Sequence, residues 1–210
     1  MAVKSFVALL ILGISMTNAR HVKVNADKSP KFCNGLDCPE FTVLKQTDEY
    51  DIRAYEQSAW VSTEILGMDF DKAGEEAFGR LFAYISGANE AKEKVPMTAP
   101  VITRVIPGAG PACESNFTIS FFVPFKFQSN TPKPTADNVF LSSIEKHEAY
   151  VRSFPGYANQ DKYLKEAEAL GQALLNTTTP YRQDFFYTAG YDAPFKPFNR
   201  HNEVWFFAEE

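Results

Sequence analysis

Side chains able to do nucleophilic or metal chemistry are few and scattered. The 210 residues contain three cysteines, Cys33, Cys38 and Cys113, and three histidines, His21, His147 and His201. A structural zinc site needs four such ligands at close spacing. Only "CNGLDC", Cys33 to Cys38, brings two together. Its Asn34-Gly35 is a strong turn signal, so a Cys33–Cys38 disulfide is expected, with Cys113 left over. A bridge from Cys113 to either partner is the alternative. A disulfide there also removes the thiols from any Cys–His nucleophile pair. "DFDKAG", Asp69 to Gly74, opens like a calcium loop. Ala73 falls at its third ligand position and Arg80 at its twelfth, so a helix start accounts for it better. "GAGPAC" from Gly108 lacks the third glycine of a dinucleotide fingerprint, and there is no G-x-S-x-G elbow or P-loop. With no catalytic constellation visible, a protein that is not an enzyme is expected.

The elements that would position these groups are legible from periodicity. Between Asp69 and Gly87, apolar residues fall at Phe70, Ala73, Ala77, Phe78, Leu81, Phe82 and Ile85, the three-and-four spacing of one helical stripe. Asp69 or Asp71 can cap its start and Gly87 can end it. A second stripe runs from Asn159 to Leu175 through Tyr163, Leu164, Ala167, Leu170, Leu174 and Leu175. Most other segments are rich in β-branched and aromatic residues and read as strands. "TVLKQTDEYDIRAY" reads as a hairpin through Thr47-Asp48-Glu49. "AWVSTEI", "VITRV", "FTISFFVP", "NVFLSSI", "EAYVRSF", "DFFYTAG" and "EVWFFAE" are further strands. The order is strands, helix, strands, repeated across the proline-rich join "PFKFQSNTPKPTAD", and "YDIRAY" is echoed by "AYVRSF". Two similar strand-helix-strand halves make an α+β fold.

The first nineteen residues read as an address. Lys4 precedes a nine-residue apolar run, Phe6 to Ile14, too short to span a bilayer, and Ala19 suits a cleavage site. The expected organisation is a signal peptide at 1–19, an N-terminal extension with the disulfide at 20–40, and one domain at 41–210. Removing the leader takes one cation and moves the net charge from −5 to −6. Such a chain is a poor nucleic-acid partner, and no other apolar run is long enough to cross a membrane. A secreted protein is expected. Asn116 in "NFT" and Asn176 in "NTT" are then glycosylation acceptors.

"KVPMTAPV" from Lys94 resembles the signature of the SOUL heme-binding protein family. So do "SAWVSTEI", "FFVPFKFQSNTPKPTADNV" and "YTAGYDAPFKPFNRHNEVWFF". Together these blocks cover about Phe41 to Phe207. The resemblance implies a distorted antiparallel β-barrel with two helices, similar to the gyrase-inhibitor fold. It places Pro96 to Pro100 on the crossing from the first helix back into the barrel, where two prolines stiffen the chain.

The resemblance also implies a ligand, heme or a related porphyrin. Some relatives supply an iron-ligating histidine within the motif that reads "YDIRAY" here, and this chain has Ala54 at that position. The ring is therefore expected to be held by apolar contact, with Phe78, Phe82 and Met97 as candidates. Arg80 and Lys196 are the candidate cations for the propionates. His201 is the candidate axial ligand; His21 and His147 are given no such role. The expected function is a secreted, non-enzymatic heme carrier or scavenger. The alternative is an extracellular protein-interaction module on the same fold.

Overall fold

The computed structural model describes residues 22–23, 29–110 and 113–209. The leader at 1–19 and His21 lie outside them. Among the described residues, ten antiparallel strands form one sheet: β1 (Val22–Lys23), β2 (Phe41–Gln46), β3 (Asp51–Tyr55), β4 (Ser58–Gly67), β5 (Val101–Ile106), β6 (Ser115–Phe122), β7 (Phe140–Ile144), β8 (His147–Pro155), β9 (Phe186–Gly190) and β10 (His201–Phe207). Two helices complete the α+β fold, α1 (Phe70–Ile85) and α2 (Gln160–Asn176). The sheet order is β1-β2-β3-β8-β10-β9-β5-β6-β4-β7, and the sheet curls into a half-barrel.

The order exposes the duplication. Each half is a strand, a helix and a hairpin whose second strand pairs back onto the first: β4, α1, β5-β6, then β8, α2, β9-β10. The halves join through β5 and β9. The strand before each unit pairs with the other unit, β3 on β8 and β7 on β4. The echoing segments "YDIRAY" and "AYVRSF" are thus not equivalent parts of the repeat. They are partners across one ladder, with Ile52 opposite Tyr150.

Local chemistry explains the helices. Asp69 accepts from the Lys72 N–H and caps α1, and Asn159 does the same for α2 through Lys162. Side-chain alternation along each strand divides the core in two. Val61, Phe121 and Phe206 pack on the helix side, while their neighbours Trp60, Phe122 and Trp205 point to the opposite face. Helix α1 lies over β4 and β6, and α2 over β8 and β10.

The helix-free face is closed by the N-terminal extension. Cys33 and Cys38 form the expected disulfide, and both are buried in the same cluster as Tyr55, Trp60 and Trp205. Asn34 and Gly35 both take positive φ, which the Asn-Gly pair allows at little cost. Cys113 is free and exposed.

Candidate functional site

Helix α1 carries the apolar surface. Its buried residues are Ala73, Ala77, Leu81, Tyr84 and Ile85. At about 100° per residue, Phe78 and Phe82 stand on one shoulder of that buried arc. Their rings stack at 5.8 Å and remain 40% and 49% exposed. Phe78 also sets its edge against Phe121 of β6, at 5.4 Å. The sequence stripe included both, but the arc that actually meets the sheet is narrower and takes in Tyr84 instead.

Met97 is half-buried and packs against the same cluster as Phe121. Around it the "PMTAP" segment is tied down on both sides. Thr98 donates to the Phe122 carbonyl at 2.7 Å, the Ala99 N–H donates to the Asp37 carbonyl at 3.0 Å, and the Ala99–Pro100 peptide is cis. The crossing therefore holds Met97 on the core cluster that α1 covers and receives the disulfide loop.

The two candidate cations lie elsewhere. Arg80 projects from the other shoulder of α1, where it pairs with Glu76 and donates to Thr63 Oγ1 at 3.1 Å. Lys196 sits in the β9–β10 loop, paired with Asp192 and bonded to Asn34 of the disulfide loop at 3.1 Å. Burial would raise the Asp192 carboxyl, but Lys196, the His201 N–H and Asn34 outweigh it and hold it below its usual range. Phe195 and Phe198 flank this lysine and are 86% and 78% exposed. Arg200 pins their loop by donating to the Ala193 and Lys196 carbonyls at 2.7 and 2.9 Å. Sequence reading passed over these two phenylalanines; their spacing around a lysine between two prolines was the available signal.

The described histidines are held by packing on neighbouring rings, and His147 Nε2 is buried with no hydrogen-bond partner among the described residues. His147 has its ring between Tyr55 and Phe207, with centroids at 5.3 and 3.9 Å, and bonds the Glu145 carbonyl. Burial pushes its pKa down. His201 Nε2 meets Glu203 Oε1 at 2.7 Å, and its ring lies flat on Phe32. Ala54 sits in β3 between Thr42 and Glu148.

Glu203 anchors a buried polar cluster that the sequence did not flag. It is fully buried and accepts from Arg53 at 2.9 Å, Tyr191 at 2.7 Å and Trp205 at 2.8 Å as well as from His201. Burial alone would raise its carboxyl; Arg53, His201 and Tyr191 outweigh that and hold it at about 2. Phe41 lies 4.5 Å below the Arg53 guanidinium. With every partner taken and Phe32 above it, this cluster reads as a structural lock.

The sequence model of the SOUL heme-binding protein family matches residues 36–207. The chain belongs to the SOUL family. Among SOUL-family relatives, human heme-binding protein 2 is 39% identical over 160 residues, 76% of this chain and 78% of that protein. Heme-binding protein 1 of Xenopus tropicalis is 34% identical over 157 residues, 75% and 82% of the two chains. Solved structures share the fold at lower identity. The C-terminal domain of EcmrR superposes with a TM-score of 0.60 at 13% identity, covering 77% of this chain and 98% of that one. An uncharacterized conserved protein from Listeria innocua gives 0.55 at 11%, covering 78% and 93%. The SOUL match begins at Leu36, inside the disulfide loop, so Cys33 and the Phe32 lid precede the matched region.

Proposed function

We propose that the protein binds heme or a related tetrapyrrole and acts outside the cell as a carrier or scavenger, without catalysing a reaction. The exposed Phe78–Phe82 stack carries this reading, with Met97 half-buried on the core cluster beneath α1, and the names of its relatives support the ligand class. A flat ring needs an apolar face, and α1 offers one held in place by Phe121. Arg80 and Lys196 are already paired, and Arg80 faces away from the stack. They contribute weakly to the propionates, about 1 kcal/mol or less each. His147 is stacked between Tyr55 and Phe207 with its Nε2 buried away from the surface, and His201 Nε2 is taken by Glu203, so the ring is held by its face. The apolar run Phe6 to Ile14 supports export, and the disulfide suits an oxidising compartment.

Burying a few hundred Å² of ring at about 25 cal/mol per Å² gives several kcal/mol, and the costs of association offset much of that. The expected affinity is roughly micromolar. Titration of the pure protein with hemin, followed by the Soret band, tests the reading. Saturable binding lost in a Phe78→Ala, Phe82→Ala double variant supports it; hemin uptake indifferent to that change overturns the site.

A further inference from the structure

A second cleft, of about 130 Å³, lies where the starts of α1 and α2 meet the β5–β9 junction of the two halves. Its walls include Phe70, Phe117 and Phe186. The opening is held at a fixed width by one bond: Gln160 of α2 accepts from the Phe70 N–H at 2.9 Å, a donor that the helix start leaves without an internal partner. The cleft is separate from the Phe78–Phe82 surface, which lies more than two helical turns further along α1.

Two of its lining side chains carry hydroxyls that make no hydrogen bond among the described residues, although the residues themselves are mostly buried. Tyr163 is 8% exposed and Thr188 3%. Neither hydroxyl donates or accepts within the protein, which leaves both free to bond a molecule in the cleft that they line. Apolar walls with a few convergent polar groups are the makeup of a small-molecule site. An apolar cavity of about 150 Å³ accommodates benzene, so this volume suits one ring and not a macrocycle.

We propose that this cleft binds a neutral single-ring molecule bearing one hydroxyl or carbonyl oxygen, its ring against Phe70, Phe117 and Phe186 and its oxygen on Tyr163 and Thr188. Met68 and Leu164, both exposed at the rim, supply apolar contact to the outer edge of the ligand. A charged ligand is excluded, because no cation or carboxylate lines the cleft to pair with it.

Phenol and toluene, alike in shape and different in one hydroxyl, are the probes. Their binding to the full chain is measured by saturation-transfer NMR. Phenol is expected to bind about fivefold more tightly than toluene, the size of one neutral hydrogen bond. Tyr163→Phe should remove that preference and leave toluene affinity unchanged. Contacts from the phenol ring to Phe117 and Phe186 should appear in nuclear Overhauser spectra of the unaltered protein, which guards against a variant that fails to fold. Absence of those contacts, equal binding of the two probes, or no binding of either overturns the proposal. Saturating hemin should leave phenol binding unchanged; displacement would place the probe on the hemin surface and sink the separate site.

Discussion

Phe32 stacks face to face on His201, with ring centroids 4.2 Å apart and planes 6° from parallel. The contact joins the N-terminal extension to β10 and closes the helix-free face over Glu203. Asn34 reinforces it by donating to the Tyr191 carbonyl at 3.1 Å. Residues 29–40 of the extension are therefore part of the domain's core and not an appendage to it.

Loss of the disulfide should be felt throughout the domain. A closed loop with a sequence separation of 5 is short. Its removal in a Cys33→Ser, Cys38→Ser variant is expected to cost about 2 kcal/mol, or about 4–8 °C in Tm for a domain of this size. Peptide mapping without reductant should recover a Cys33–Cys38 link. A link to Cys113, or an unchanged melting curve, would contradict the assignment.

Acid should unfold the protein in two stages. His147 is held neutral by burial, so its share of stability is complete above its unfolded pKa of 6.5 and declines as the pH falls below that value. Glu203 is depressed from 4.5 to about 2, so its share is complete above 4.5 and is lost as the pH falls through about 2. That second step is worth about 3 kcal/mol. Urea unfolding at pH 7, 5 and 2 measures both. Arg53→Met leaves the buried carboxylate without its cation and should cost about 3–5 kcal/mol at pH 7. A flat pH profile between 5 and 2 would show that Glu203 does not carry this linkage.

Hemin binding should depend on rings and not on imidazoles. Phe82→Ala is expected to weaken binding about tenfold, from lost apolar contact of about 1.5 kcal/mol. Lys196→Ala should change it less than fivefold, because the lysine is already spent on Asp192. His201→Ala should leave the Soret spectrum as it was. A sharp low-spin spectrum that disappears in His201→Ala would establish axial ligation and relocate the site to the Phe32 lid.

Secreted material should begin near Arg20 and carry sugar at Asn176 rather than at Asn116. Asn176 ends α2 in the open, whereas the Asn116 amide is half-buried in β6 and bonded to Glu64. Mass spectrometry after glycosidase treatment checks this, with Asn176→Gln abolishing the shift. A leader retained through Ala19 in protein from the medium would refute export by this route.

Much of the architecture was legible because it depends on short-range rules. The stripe from Phe70 and the caps at Asp69 and Asn159 declare two helices through interactions three and four residues apart. Asn34-Gly35 declares its own turn, and through it the Cys33–Cys38 pairing. The blocks around "KVPMTAPV" carry the family. The strand read as "EAYVRSF" opens one residue earlier, at His147, a shift that period-2 patterns leave undetermined.

Long-range pairing decided the rest. "NRHNEVWFF" runs from five polar residues into four apolar ones, and nothing in it marks Glu203 as fully buried. Burial follows from the place of β10 between β8 and β9, and it is tolerable only because Arg53, 150 residues away in sequence, arrives on β3 with the opposite charge. The exposure of Phe78 and Phe82 has the same origin. A helix of given sequence presents one stripe, but the curvature of the sheet beneath sets how wide an arc is covered, and here the coverage stops at Leu81 and Ile85. Local spacing specifies which elements form; which of their side chains meet water depends on packing between elements far apart in the chain.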